Sequence, residues 1–174
     1  MTNHPVRNGL MAGGILMALS LVLYVTDKGL LLSISTLLEF GVVIFFMTRA
    51  VSETKNEMKG WISFGDAFKP AWLTFILATT IATVFTFIMM NYVDPGLKDQ
   101  IRIMQVDAFE QAASWFKISD TDKQTYIDTL ETTDAFGINS LAFSLPFSFI
   151  FPGVLYAMVI SLIMKKEAPI VPGT

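Results

Sequence analysis

At 174 residues the chain is long enough for one compact domain, yet 53% of it is hydrophobic, it holds 15 Phe, and its mean hydropathy of +0.56 lies outside the usual soluble range. It contains no cysteine, so disulfides, thiolate metal sites and cysteine nucleophiles are excluded and no redox compartment is indicated. The formal net charge is −3, and most of the acids fall in one polar segment, a surface that would repel nucleic acid.

A bilayer core of about 30 Å takes about 20 apolar helical residues to cross, and stretches 8–25, 30–48, 70–92 and 141–164 meet that length. The first follows Arg7 and ends "LVLYVTDKG". It has no small-x-small cleavage site and is expected to remain as an anchor. Two small-xxx-small pairs within it, Gly9 with Gly13 and Gly14 with Ala18, predict faces on which a neighbouring helix can approach closely.

The second stretch, "LLLSISTLLEFGVVIFFM", carries Glu39 at its middle. A charged side chain at the bilayer centre costs roughly 2.5–3.5 kcal/mol on insertion scales, so Glu39 is expected to face the bundle, protonated or partnered. Arg49 is ten residues on, about 15 Å along a helix, too far for a pair within the helix. Its candidate partners are Thr79, Thr83 and Thr86 of the third stretch and Ser144 and Ser148 of the fourth. The threonines can instead bond a carbonyl one turn back. Two roles follow for Glu39, a neutral fastener of helices or a proton or cation relay.

Between the second and third stretches, "KGWISFGDAFKPAW" places Trp61, Phe64, Phe68 and Trp72 among Asp66, Lys69 and Pro70, the composition of an anchor at a membrane surface. Ser63 and Asp66 form a capping-box pair, which predicts a helix start there and a bend at Pro70.

Residues 93–140 hold nine acids against four bases, a net charge of −5. Asp94 and Pro95 read as a helix start, followed by a stripe of Leu97, Ile101, Met104, Ala108, Ala112 and Trp115. Ser119 and Asp122 cap a second, shorter helix with Tyr126, Ile127 and Leu130 on its apolar side. The expectation is an amphipathic helical hairpin over the outer ends of the spans, acting as a lid or docking a partner protein. Within it, Asp120, Asp122, Gln124, Asp128 and Glu131 occupy ligand positions of an EF-hand-like loop, but Thr125 stands where the turn needs glycine. The capping box explains the same acids, and neither metal nor cofactor is expected.

The last stretch contains Pro146 and Pro152, the second followed by Gly153, which predicts a kink or break and freed carbonyls. Arg7, Arg49, Lys55, Lys59, Lys69, Lys165 and Lys166 all flank one side of the four stretches. Basic flanks stay cytoplasmic, so both termini are expected inside and the acidic segment outside.

The motifs "GLMAGG", "ISFGDAFK" and "NYVDPGL", with a long polar segment before the last span, resemble domain-of-unknown-function family 4199 over essentially the whole chain. The resemblance implies a small bacterial inner-membrane protein with four spans and supplies no catalytic residues. The expected fold is an all-α membrane protein forming a single integral domain over 1–174, with four transmembrane helices and an extracytoplasmic hairpin between the third and fourth. The only histidine is His4, and no HExxH, GxSxG or phosphate-cradling loop occurs, so an enzyme is not expected. The expected partners are the lipid bilayer, a protein at the hairpin and a second copy of the chain. The readings that remain are a structural or accessory protein and, as runner-up, a small proton- or cation-coupled transporter using Glu39.

Overall fold

The computed structural model describes residues 3–166, with the side chains of Leu32, Ser33 and Glu131 outside that description. Its helices are α1 (His4–Thr26), α2 (Lys28–Glu57), α3 (Phe64–Ile88), a π-helical turn (Met89–Val93), α4 (Gly96–Phe116), α5 (Asp120–Thr132), α6 (Ile138–Ile150) and α7 (Gly153–Met164). Among the described residues four helical segments, His4–Thr26, Ile34–Glu57, Phe64–Val93 and Ile138–Met164, are long and apolar enough to cross a membrane. The chain forms two compact units, Met1–Thr83 with Leu145–Thr174, and Val84–Ser144.

In the first unit, α1 and α2 are separated by Asp27 alone, whose carboxylate accepts from the N–H groups of Gly29 and Leu30 and so caps α2. The second helix runs on past the apolar stretch to Glu57, because its polar end is held by an Arg49–Glu53 pair one turn apart. The chain then turns through Lys59 and Gly60 with φ of 58° and 86°, a left-handed pair of which Gly60 is the member that adopts it without strain. Ser63 caps α3 by accepting from the Asp66 N–H, as the sequence predicts, and α3 continues through Pro70.

The core joins Ala12 and Leu16 of α1, Val43, Phe46, Met47 and Val51 of α2, Ala67, Ala71, Phe75 and Ala78 of α3, and Ala157 and Ile160 of α7. Alanines at so many of these positions let backbones approach closely, which is how helices pack where lipid removes the hydrophobic drive between them. Gly9 and Gly13 serve the same end. A Cβ at Gly9 would stand 2.6 Å from Leu77 Cβ, and one at Gly13 would stand 2.7 Å from Ile81 Cβ. Gly14 has open space around it and Ala18 is exposed, so the second predicted pair gives no close approach among the described residues. The covered stripe of α1 is Asn8, Gly9, Ala12, Gly13 and Leu16, and each further residue rotates about 100° away from it. Large apolar side chains such as Val25, Leu37, Phe45 and Ile163 face outward, the surface expected of helices that contact lipid.

The last span breaks between α6 and α7 at Phe151 and the cis-bonded Pro152, whereas α6 runs through Pro146. Of the two predicted break points only Pro152 ends a helix. There Pro152 offers no N–H to the Ser148 carbonyl, and its own carbonyl accepts from Tyr156 to start α7. A Cβ on the next residue, Gly153, would lie 2.7 Å from the Phe75 ring, so at the break α7 comes into close contact with α3.

In the second unit, α4 and α5 pair through stacked Phe109 and Tyr126 rings, 4.0 Å between centroids. Ser119 caps α5, accepting from the Asp122 N–H and donating to its carboxylate. Ala113 is buried, whereas Met104, Ala108 and Trp115 are exposed. The apolar stripe expected to pack inward is therefore only partly covered, because α5 lies on the Phe109 and Ala113 flank beside it.

Candidate functional site

Glu39 shares a helical face with the buried Val43, Phe46, Met47 and Ala50, at spacings of four, seven, eight and eleven residues. That places it on the inward stripe of α2, half-buried. Among the described residues its carboxyl makes no hydrogen bond, and two of the side chains expected to meet it bond carbonyls of their own helices instead. Thr79 donates to the Phe75 carbonyl at 2.7 Å, and Ser148 donates to the Leu145 carbonyl at 2.7 Å. Thr83, Thr86 and Ser144 make no hydrogen bond among the described residues, and Ser144 is exposed.

The break in the last span meets the aromatic face of α3. Phe64, Phe68 and Trp72 follow one another at one-turn spacing, with ring centroids 6.0 Å apart at each step. The Trp72 indole then donates to the carbonyl oxygen of Phe149 at 2.8 Å, a group released from helical bonding by the break after Ile150. Trp72 thus satisfies a freed carbonyl as well as carrying interface composition. Trp61 is anchored differently, with the Lys166 ammonium 4.6 Å from its ring centroid. Lys69 is exposed and reaches Asp66 only at 4.0 Å.

A polar cluster at the start of α1 and the end of α2 centres on Glu53. One of its oxygens accepts from Arg7 at 2.8 Å and from Arg49 at 3.1 Å; the other accepts from Asn8 at 2.7 Å. His4 lies 3.4 Å from Glu53 and 2.8 Å from Glu57. Asn8 is fully buried, also donates to the His4 carbonyl, and its own side-chain oxygen has no partner among the described residues. Nearby, Lys55 donates to the Met164 carbonyl at 2.8 Å, and Ile62 and Lys166 exchange backbone hydrogen bonds of 2.8 and 2.9 Å. The sequence does not single out Glu53 or Asn8, because the bonds that join Glu53 to Arg7 and to Asn8 span more than forty residues.

The second unit has its own network. At the π-helical turn Asp94 N–H bonds the Met89 carbonyl five residues back. Asn91 donates to the carbonyls of Phe87 and Phe136, and Lys98 donates to Asn91 at 2.8 Å and to both Asp134 oxygens at 3.0 and 3.1 Å. The Lys98 ammonium, more than any other group, holds the Asp134 carboxyl below the usual carboxylate range. Beside this network lies a cleft of about 150 Å³ lined by Lys98, Arg102, Gln105, Leu130 and Phe136 among others.

The EF-hand-like positions do not converge. Residues 120–132 are one helix, with Asp122 in the cap, Asp120 paired to Lys123 at 3.1 Å and Asp128 accepting from Gln124 at 2.8 Å. The side chain of Glu131 lies outside the described residues. Among the described residues no group of three or more His, Asp or Glu side chains is placed to hold a metal ion.

No curated protein and no solved structure matches the chain. Residues 7–166 do match the model of the family described as "Protein of unknown function (DUF4199)", and since that match spans nearly the whole chain, the protein belongs to this family.

Proposed function

We propose that the protein is a non-enzymatic, multi-pass component of the bacterial inner membrane, with both termini cytoplasmic, and that its α4–α5 pair lies outside as the contact surface for a partner protein. The observation that carries this reading is the surface of α5. Asp120, Asp122 and Asp128 are exposed there, and only Lys123, Ile127 and Leu130 are half-covered among its described side chains. A helix held by so little of its own chain, and so acidic, is suited to recognising a basic surface. The orientation draws on the first unit, where bonds among Arg7, Arg49, Glu53, Lys55, Met164 and Lys166 gather the basic flanks at one end. The test is site-specific photo-crosslinking in cells from positions 121 and 128 of α5. A discrete adduct that disappears when Asp120, Asp122 and Asp128 are changed to asparagine supports the reading, and no adduct from either position overturns it.

A second reading, proton- or cation-coupled transport through Glu39, is favoured by one observation. Glu39 is half-buried on the inward face of a span without a hydrogen-bond partner among the described residues, an arrangement more costly than a structural fastener requires. Flux in proteoliposomes that is present with Glu39 and lost in Glu39→Gln at equal stability would move the assignment to transport.

A further inference from the structure

The uncharged stripe of α4 is left open by its own chain. Leu97 at its start is buried, but Met104 is 40% exposed and Trp115 80% exposed, Ala108 between them is exposed, and Phe116 beside Trp115 is 77% exposed. The acids of the helix project from a different side, Asp99 and Glu110 by more than about 100° round the helix from Met104, Ala108 and Trp115, and Asp107 at its border, about 60° from Met104 and about 100° from Ala108. The α5 helix occupies the third side, through the Phe109–Tyr126 stack, where Ala113 is also buried. The helix therefore has an acidic face, a face covered by protein and an open apolar face.

We propose that this open face lies in the headgroup layer of the lipid bilayer, with α4 as an interfacial helix. Continuity is the first argument. Val93 ends a span apolar enough to cross a membrane, and only Asp94 and Pro95 separate it from the first residue of α4. Tyr92 and Val93, at that span's end, are 74% and 54% exposed, so the span presents apolar surface up to the turn that leads into α4. Composition is the second. The open face ends in Trp115, and the exposed Phe116 and then Lys117 follow it along the chain, an aromatic pair beside a cation, as found where helices meet the water boundary of a bilayer. Charge is the third. No ionisable group stands on the stripe, so a zwitterionic headgroup layer accommodates it, while the acids on the neighbouring face disfavour a strongly anionic one. A second copy of the chain docking there, or a soluble stripe, are the competing outcomes.

The chain has no native cysteine, so nitroxide labels can be placed singly on the full-length protein in phosphatidylcholine bilayers. Met104→Cys and Ala108→Cys report the stripe; Asp107→Cys and Glu110→Cys report the acidic face, and all four positions are exposed. The expected result is a ratio of oxygen to nickel-chelate collision rates several-fold higher at 104 and 108 than at 107 and 110. Equal ratios at the four positions would place the stripe in water and overturn the proposal. A label at 104 or 108 that is shielded from both reagents and broadened by the same label on another molecule would assign the face to a second copy, which also overturns it. No partner protein enters this measurement, so its outcome is independent of the accessory reading of α5.

Discussion

Trp72 of α3 and Phe149 of α6 are joined by an indole-to-carbonyl hydrogen bond of 2.8 Å, made where the last span loses its helical bonding. A freed carbonyl away from water costs about 1–3 kcal/mol when left unpaired. Trp72→Phe keeps a ring against Phe68 and removes only the donor, so it should lower stability by about that amount in reversible detergent unfolding. Trp61→Phe, which keeps the ring under Lys166, should change it much less; equal losses would deny Trp72 its special role.

Gly9→Ala and Gly13→Ala should each destabilise the chain, because the added carbon meets Leu77 and Ile81 well inside contact distance. Overpacking of this kind costs about 1–3 kcal/mol. Gly14→Ala meets open space and should be neutral or gain a few tenths of a kcal/mol through helix propensity. Thermal unfolding of the three variants in one detergent separates the two faces, and a loss at position 14 matching that at position 9 would contradict the packing described.

Glu53→Ala should weaken the α1–α2 contact by about 1–3 kcal/mol, since fully buried Asn8 loses an acceptor and two guanidinium groups lose theirs. Glu53→Gln retains an oxygen for Asn8 and should cost less. A cycle combining Glu53→Gln with Arg49→Met measures the share that belongs to charge, and strict additivity would mean that the pair contributes none.

Asp134 should titrate below the ordinary carboxylate range in the intact protein, and Lys98→Met should return it upward. A depressed folded pKa contributes stability above the unfolded value, near 3.9, and that stability is lost as pH falls through the folded value. At 57% exposure of Asp134 the effect on stability is small. Carbon-detected NMR of the carboxyl is therefore the sensitive readout. An unchanged titration in the variant would show that Lys98 is not the cause.

The parts of this architecture visible in the sequence are those specified by neighbours along the chain. The four apolar lengths, the Ser63–Asp66 and Ser119–Asp122 caps and the break at Pro152 each depend on a few consecutive residues. Gly9 with Gly13 and Gly14 with Ala18 carry the same motif, and nothing local tells which one a partner helix will cover. The same ambiguity explains α4, whose stripe has the period of a packing face although α5 settles on the adjoining flank. Asn8, Asn91, Lys98 and Trp72 acquire their roles from groups brought close by folding. For Trp72 that group is 77 residues away in sequence, beyond any spacing rule.

The exchange of hydrogen bonds between Ile62 and Lys166 bears on the order in which the chain can be completed. A growing polypeptide can assemble the His4–Glu53–Glu57 cluster once α2 has been made. Lys55 must wait for the carbonyl of Met164, and Ile62 for the backbone of Lys166. An insertion intermediate that holds only the first three spans therefore presents an ammonium and an amide without their final acceptors at the most basic end of the unit. Docking of α7 removes that signature, so the hydrogen bonding of residues 55–62 reports whether α7 has joined the first unit.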